Sequence, residues 1–191
     1  MEKTRCFWVP PNDPLYVAYH DEEWGVPVHD DHTLFEMLIL EGMQAGLSWI
    51  TILRKREGYR EAFDHFDLDK ILSYDEQKFE QLMQNPGIIR NRLKIKAVVQ
   101  NAKAFREVQS EYGNFDAFIW GYVGGVPLRI IRTGERDVPA RTELSDKISA
   151  DLKKRGFKFV GSTIICAYMH AVGLIDGHTD DCFCYSSQTC T

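Results

Sequence analysis

The chain has 191 residues and a formal net charge of −5, and 44% of its residues are hydrophobic and 12% aromatic. This length and apolar content predict one globular domain with a substantial core and exclude a disordered chain. No apolar run approaches the roughly 18 residues of a membrane span, and the first residues lack the apolar stretch of a secretory signal. We therefore expect a cytoplasmic protein with no membrane partner.

Helical patterns follow one another along the chain. The first begins with Asp13 as N-cap and Pro14 at the first helical position. The next helices are predicted over residues 31–46, 47–66 (with Ser48 as cap), 75–84, 90–113 and 114–123.

The last third of the chain departs from this pattern once. Residues 123–141 are punctuated by Gly and Pro and predict a short hairpin, and residues 142–175 predict a helix, a turn bounded by glycines and a second helix. Because strands and helices do not alternate regularly, we expect an all-α fold. It forms one domain over residues 1–191, with its N- and C-terminal segments packed together.

Two basic runs stand out against the negative net charge. Residues 90–106 carry six positive charges and no negative one, and residues 153–158 carry four more. The overall charge argues against a non-specific nucleic-acid binder, whereas these runs leave room for a local basic face. Either run alone is more typical of a solvated helix face.

One glutamate lies where a helix pattern calls for an apolar side chain. Glu41 shares a narrow stripe with Leu34, Leu38 and Ala45, whereas Glu36 is predicted on the opposite side of that helix. A buried carboxylate is costly unless it is paired or awaits a ligand. The alternative is a core carboxylate that pairs with an arginine or caps a neighbouring backbone.

Aromatic residues are dense around that glutamate in the sequence. They are Trp8, Tyr16, Tyr19, Trp24 and Trp49. Aromatic walls beside a carboxylate suit a flat heterocycle, because rings stack on it and the carboxylate accepts its N–H groups. An ordinary aromatic core is the alternative and the commoner case.

The predicted turn near residue 158 offers a phosphate site. Gly156 and Gly161 bracket it, Ser162 and Thr163 are placed to cap the second helix, and Lys154 and Lys158 stand beside it. A helix N-terminus with adjacent lysines suits a DNA phosphate. The alternative is a plain helical turn.

The expected cytoplasmic location bears on the state of the cysteines, because the cytosol keeps thiols reduced. There are five, at Cys6, Cys166, Cys182, Cys184 and Cys190. We expect them to be free, metal-bound or buried, and not disulfide-bonded. His178 and Cys182 are four residues apart, which puts them on one face of a helix or tight turn, about 6 Å from each other. That spacing is typical of half a zinc site but does not locate the other half.

Four blocks of the sequence together resemble the bacterial 3-methyladenine DNA glycosylase I family. The blocks read "DPLYVAYHDEEWGVP", "LFEMLILEGMQAGLSWITILRKRE", "GIIRNRLKIKAVVQNA" and "KKRGFKFVGSTI". The resemblance runs from Cys6 to about Tyr185. It implies the helix-hairpin-helix glycosylase fold, with "RGFKFVG" as the hairpin.

The resemblance also implies a metal site. The family joins its termini through one structural zinc ion per chain, and its four ligands fall here on Cys6, His20, His178 and Cys182. A Cys2His2 set with all positions filled is structural and not catalytic. Cys184 and Cys190 are competing thiols.

The superfamily commonly places a catalytic aspartate just after the second hairpin helix, and this family does not. Here that region holds Asp176 and the implied ligand His178.

The implied activity is DNA repair by base excision. The enzyme extrudes a 3-methyladenine nucleotide from double-stranded DNA and hydrolyses its N-glycosidic bond, leaving an abasic site. We expect Glu41 to be the catalytic residue, Trp49 to stack on the base, and Tyr16 and Tyr19 to contact it. Trp8 and Trp24 are expected as further wall residues.

The expected contacts with DNA lie outside that pocket. Gly46 and Leu47 would lie at the gap in the DNA, and Lys158 and Gly161 would contact the backbone. The partner is alkylated double-stranded DNA, and we expect a monomer.

Two other classes of protein remain open from the sequence. One is a zinc-tethered DNA-binding module without catalysis, which a base-release assay would separate from a glycosylase. The other is a metallohydrolase that acts on a small molecule. That class requires a zinc ion with three protein ligands and a water, so four protein ligands would exclude it.

Overall fold

The computed structural model describes residues 3–130 and 139–185. Helices dominate this part of the chain, which confirms the all-α prediction. They are α1 (Pro14–Glu22), α2 (Asp31–Gln44), α3 (Trp49–Ala62), α4 (Leu68–Leu72), α5 (Glu76–Gln84), α6 (Arg92–Tyr112), α7 (Phe115–Trp120), α8 (Glu143–Lys154) and α9 (Ser162–Ala171). Single 3-10 turns cover Asp64–Phe66 and Gly121–Val123. None of the helices in these two ranges is long and apolar enough to cross a membrane.

Helix α2 is the centre of the molecule. Every residue from Leu34 to Met43 is buried, and the helix packs against α3, α6, α7 and α9. Glu36, which is predicted on the side of the helix opposite Glu41, is among these buried residues. Its carboxylate is buried and accepts hydrogen bonds from Arg56 at 2.7 Å and Arg60 at 2.8 Å. Gly42 does not break the helix, which continues to Gln44.

Helix caps agree with the sequence in one case and differ in two. Asp13 caps α1, and its carboxylate accepts a hydrogen bond from the backbone N–H of Tyr16. Ser48 occupies the N-cap position of α3, but its hydroxyl is hydrogen-bonded to the hydroxyl of Thr51 and does not cap a backbone N–H of the helix. At α9 the N-cap is Gly161, without a side-chain cap, so the predicted capping by Ser162 and Thr163 is wrong.

A short ladder accompanies the helices. Strands β1 (Leu128–Arg129) and β2 (Ile175–Asp176) pair in parallel, in the register Leu128 to Ile175 and Arg129 to Asp176. The hairpin predicted over 123–141 thus contributes one strand that pairs with a distant segment. Residues 131–138 of that prediction lie outside the described ranges.

The two ends of the described chain pack together, as predicted. Cys6, Val9, Cys182 and Cys184 form a small buried cluster of their own, and the backbone N–H of Phe183 donates to the carbonyl of Thr4 at 2.9 Å. No disulfide joins the four cysteines in the described ranges. Cys190 lies outside them.

The basic run of residues 90–106 does not form a continuous charged face. Arg92 pairs with Glu76 and Glu80, and Arg106 pairs with Asp69, so acidic residues of α4 and α5 neutralise much of it. Lys94 is buried. Most of the run therefore serves packing between helices.

Candidate functional site

A cavity of about 410 Å³ opens beside α2. It collects the carboxylate and all five aromatic residues singled out from the sequence. Its lining consists of Phe7, Trp8, Tyr16, Tyr19, Trp24, Glu41, Gln44, Trp49, Ala167 and His170. The volume lies in the usual range for small-molecule sites, and the apolar walls with few polar groups fit that class.

Glu41 is the carboxylate in this cavity. It is 3% exposed, and within the described residues its Oε2 has no hydrogen-bond partner. Burial without a countercharge raises the pKa of Glu41 to about 8. The contrast with Glu36 on the same helix is informative, since hydrogen bonds from Arg60 and Arg56 outweigh burial there and lower its pKa. A buried and unpaired carboxylate is typical of a group that awaits a ligand.

Trp49 adds a second unsatisfied polar atom to the cavity. It is the first residue of α3, is buried, and its indole Nε1 has no hydrogen-bond partner in the described part of the chain. Its ring lies 5.4 Å from that of Tyr19, tilted by 49°. The cavity thus presents an acceptor on Glu41 and a donor on Trp49 between aromatic surfaces. This arrangement suits a flat, nitrogen-rich ring.

The outer wall of the cavity is made by N-terminal residues. Trp8 packs edge-on against Tyr16 at 5.5 Å and against Trp24 at 4.9 Å, measured between ring centroids. Trp24 also contacts His178 edge-on, with 4.7 Å between the ring centroids. The wall of the cavity is therefore also the wall of a second cluster.

That second cluster could hold a metal ion. His20, His178, Cys182 and Cys184 are all buried, and their ligand atoms lie within 4.8 Å of one another. Three of the four implied ligands are in this compact group, with Cys184 as the fourth in place of Cys6. The Cys6 thiol contacts Cys182, and its sulfur accepts hydrogen bonds from the backbone N–H of Thr179 at 3.4 Å and from its hydroxyl at 3.7 Å.

Both histidines of the group are oriented by carboxylates. His20 Nδ1 lies 2.9 Å from Asp21 Oδ1, and His178 Nδ1 lies 2.9 Å from Asp176 Oδ1. This leaves Nε2 of each ring facing the thiols, and His178 Nε2 has no hydrogen-bond partner among the described residues. Carboxylates on the outer nitrogens are the usual support of metal-binding histidines.

The charges of the group also favour a cation. A hydrogen bond from the Cys6 thiol lowers the pKa of Cys182, although burial opposes this. Burial opposes protonation of His20, but hydrogen bonds to Cys182 and Asp21 outweigh it and raise its pKa. A buried thiolate beside two imidazole nitrogens is a donor set that zinc binds well.

Two turns lie at the C-terminal end of α2. The α2–α3 turn (residues 45–48) contains Gly46, with a φ of +80°, and Leu47, which is 39% exposed. The α8–α9 turn (residues 155–161) contains the exposed Lys158 and ends at Gly161. A Cβ atom at Gly42 would lie 3.3 Å from the Cβ of Phe159, so the α8–α9 turn packs directly on α2. The predicted DNA-contacting residues therefore come from neighbouring parts of the structure.

Comparison with known proteins decides the family. The family model described as methyladenine glycosylase matches residues 8–185. The chain is 49% identical over 181 residues to DNA-3-methyladenine glycosylase 1 of Escherichia coli K12, covering 95% of this chain and 96% of that protein. The chain belongs to the methyladenine glycosylase family.

Solved structures of family members have the same fold. A crystal structure of 3-methyladenine DNA glycosylase I matches with a TM-score of 0.91 at 49% identity, over 95% of this chain and 100% of that one. A second, from Staphylococcus aureus and described as showing the structural basis of 3-methyladenine recognition, matches with a TM-score of 0.87 at 39% identity. It covers 90% of this chain and 91% of its own.

Sequence reasoning missed four residues of the cavity in this methyladenine glycosylase. Phe7 and Gln44 flank residues that it did identify, whereas Ala167 and His170 come from the distant helix α9. The ring of His170 stacks on Trp24, with 5.8 Å between centroids. A histidine in the apolar sequence of α9 was the available signal, but only the packing of α9 on α2 brings it to the cavity that contains Glu41.

Proposed function

We propose that this protein excises 3-methyladenine from double-stranded DNA by hydrolysis of the N-glycosidic bond. The observation that carries the proposal is Glu41, which is buried in an aromatic cavity of a chain from this family and whose Oε2 has no partner among the residues that the structure describes. The relatives are named for this activity, and one neighbouring structure is described as concerning recognition of the same base.

The chemistry of the lesion suits the cavity. Methylation at N3 gives the purine a positive charge, so a flipped-out nucleotide brings a cation to Glu41. A nearby cation favours the ionised carboxylate and lowers a pKa that burial had raised to about 8. The pair forms out of water, where its attraction is strong. Trp49 stacks on the base, Tyr16 and Tyr19 contact it, and Trp8 and Trp24 close the wall.

Bond cleavage then needs little acid catalysis. The electron pair of the bond to C1′ moves into the ring and cancels its charge, so the base leaves neutral. The positive charge that develops on the sugar is stabilised by the Glu41 carboxylate. Water adds to C1′ and gives up its proton, which leaves an abasic site. No bond to the protein forms, so the enzyme is a monofunctional glycosylase.

The DNA is held by the two turns at the end of α2. Gly46 and Leu47 lie at the gap left by the extruded nucleotide. The α8–α9 unit acts as a helix-hairpin-helix, in which Lys158 and the N-terminal backbone of α9 from Gly161 contact phosphates. Its support is the exposed Lys158 and the absence of a side-chain cap on α9 within the described structure.

The thiol and histidine group holds one structural zinc ion. His20, His178 and Cys182 are three of its ligands, and Cys6 is the fourth, because Thr179 provides two donors to its sulfur, which would support a metal-bound thiolate. Zinc supplies a cross-link between the chain ends and no chemistry at the base. Four protein ligands leave no open position, which argues against the small-molecule metallohydrolase.

The test is release of bases from methylated double-stranded DNA, followed by chromatography. We expect free 3-methyladenine from the wild type and at least a hundredfold less from Glu41→Ala at equal DNA binding. Intact DNA with the wild type, alongside tight DNA binding, would instead identify a non-catalytic DNA-binding module.

A further inference from the structure

Helix α6 carries two buried polar side chains on one face. Lys94 is 6% exposed and Asn101 is 4% exposed. They are seven residues, or two helical turns, apart, so they lie on the same side of α6 and about 10 Å from each other along its axis. In the described structure Lys94 forms no ion pair with an acidic residue. Each side chain instead forms hydrogen bonds with backbone atoms in or next to a turn.

Lys94 binds the end of α2. Its ammonium donates to the carbonyl of Met43 at 2.8 Å and to the carbonyl of Ala45 at 2.7 Å. A cation at the C-terminus of a helix is favourable because unpaired carbonyls point towards it. Ala45 begins the α2–α3 turn, and Met43 lies two residues after Glu41. The same ammonium lies 5.9 Å from the ring centroid of Phe159 in the α8–α9 turn.

Asn101 binds the α8–α9 turn. Its Oδ1 accepts from the backbone N–H of Lys158 at 2.7 Å, and its Nδ2 donates to the carbonyl of the same residue at 3.1 Å. The next residue, Phe159, has a φ of +56°, which is unfavourable for a side chain with a Cβ. The paired hydrogen bonds fix the two peptide units that flank Lys158, directly before this strained residue.

We propose that Lys94 and Asn101 are positioning residues that hold the α2–α3 turn and the α8–α9 turn at a fixed separation, so that both engage one DNA duplex. The inference rests on the proposed function, since it assigns those turns to DNA. A single helix, α6, is hydrogen-bonded to both turns and so fixes the distance between them. Excision needs the nucleotide gap and the anchored phosphates in register, and a small misplacement of either costs rate. Base recognition needs only the cavity.

Local order gives a test that does not depend on activity. Amide hydrogen exchange is measured on wild type, Lys94→Met, Asn101→Ala and a matched control, Lys103→Met, an exposed lysine of the same helix. We expect at least tenfold faster exchange at residues 45–48 in Lys94→Met. Asn101→Ala should show the same change at residues 156–160, and α8 should be unchanged in every variant. Uniform changes across the molecule, or none, would overturn the proposal.

Function gives the second test. Under single-turnover conditions with methylated double-stranded DNA at saturation, Lys94→Met should release 3-methyladenine at least tenfold more slowly than Lys103→Met. The affinity for free 3-methyladenine should stay within about threefold of wild type. Equal excision rates would refute the proposal. Absence of excision by the wild type would instead refute the proposed function and leave the exchange test decisive.

Folding of the variants is monitored by thermal melts. If Lys94→Met does not fold, Asn101→Asp provides the same test, because it keeps the acceptor for the Lys158 N–H and replaces the donor to its carbonyl by an oxygen. We expect faster exchange at residues 156–160 and at least tenfold slower excision with unchanged affinity for the free base. Wild-type behaviour of Asn101→Asp in both measurements would overturn the proposal.

Discussion

Two glutamates on α2 show how partners decide the role of a buried charge. Glu36 accepts hydrogen bonds from Arg56 and Arg60, so its role is to stabilise the fold. Glu41 lies five residues later, in the cavity, with an unpaired Oε2 among the described residues. Both are buried to a similar degree, so burial alone does not separate them. The absence of a countercharge does, because it leaves a desolvation cost that protonation or a ligand must offset.

Replacing Glu41 by Gln should weaken binding of free 3-methyladenine. The amide keeps the shape but loses the charge and places a donor where the base offers its amine. We expect a loss on the order of 1–3 kcal/mol, the usual cost of an unsatisfied buried polar group, which is about a tenfold to hundredfold weaker affinity. Calorimetric titration of wild type and variant measures this directly. Equal affinities with a lower melting temperature for the variant would show that Glu41 belongs to the core.

The same residue should make stability depend on pH. The pKa of Glu41 is about 8 in the folded protein against 4.5 for an ordinary glutamate, so between these values the folded state holds a proton that the unfolded state has lost. Its stabilising contribution is therefore fully present below pH 4.5 and is lost as pH rises through 8. The magnitude is on the order of 5 kcal/mol.

Denaturant unfolding of wild type and Glu41→Gln at pH 5 and pH 8.5 isolates this effect. The stability of the wild type relative to the variant should fall between the two pH values. Parallel stability curves would mean that Glu41 is ionised in the folded protein throughout.

At the scale of elements, regular local patterns were predictable from the sequence. The Asp13 cap, the run of helices and the α8–turn–α9 unit are confirmed, because caps and apolar periodicity are local signals. The short α4 and the pairing of β1 with β2 were missed, since both are set by distant partners. Lys94 was counted in a basic run, and only the position of the α2 carbonyls shows why it is buried. The five aromatic residues and Glu41 do meet in one cavity, but their roles stay predictions.

The α8–α9 turn should contribute affinity without sequence or lesion specificity. Lys158→Glu should weaken binding to damaged and undamaged duplex alike, by about tenfold at low salt, since phosphate contacts carry no base information. The slope of log affinity against log salt should become shallower by about 1. Fluorescence anisotropy with both duplexes, over a salt series, gives both quantities.

A second variant with the same change in charge distinguishes loss of a direct phosphate contact from a general effect of net charge on DNA affinity. Lys70→Glu lies on α4, which adjoins the C-terminal half of α6 through the ion pair of Asp69 and Arg106. We expect a much smaller change in affinity for this variant. Equal losses in Lys158→Glu and Lys70→Glu would show that net charge, and not the turn, determines binding.

At the scale of the whole molecule, the proposed zinc site joins segments that lie far apart in the chain. Cys6 and Cys182 are separated by 176 positions, and closing a long loop removes much of the freedom of the unfolded chain. We expect about one zinc per chain as purified. Cys6→Ser should lose it and about 3 kcal/mol of stability, or roughly 6–12 °C in melting temperature.

Cys184→Ser is the matched control, because it removes a buried thiol of the same cluster. It should keep its zinc and its melting temperature within about 2 °C. Loss of zinc from Cys184→Ser and not from Cys6→Ser would make Cys184 the fourth ligand. A wild-type protein whose melting temperature does not respond to a chelator would contradict the structural zinc site altogether.

The cavity is assembled from both ends of the chain, and this has a consequence during synthesis. Trp8, Trp24, Glu41 and Trp49 leave the ribosome early, whereas Ala167 and His170, which complete the lining, follow 118 or more residues after Trp49. At typical translation speeds this interval lasts about 6–24 s. Until then α2 has no α9 to pack against, and Glu41 stays in water with an ordinary acidity. A nascent chain that lacks α9 therefore has an incomplete base pocket, so the ability to break a glycosidic bond arises only after α9 has been made.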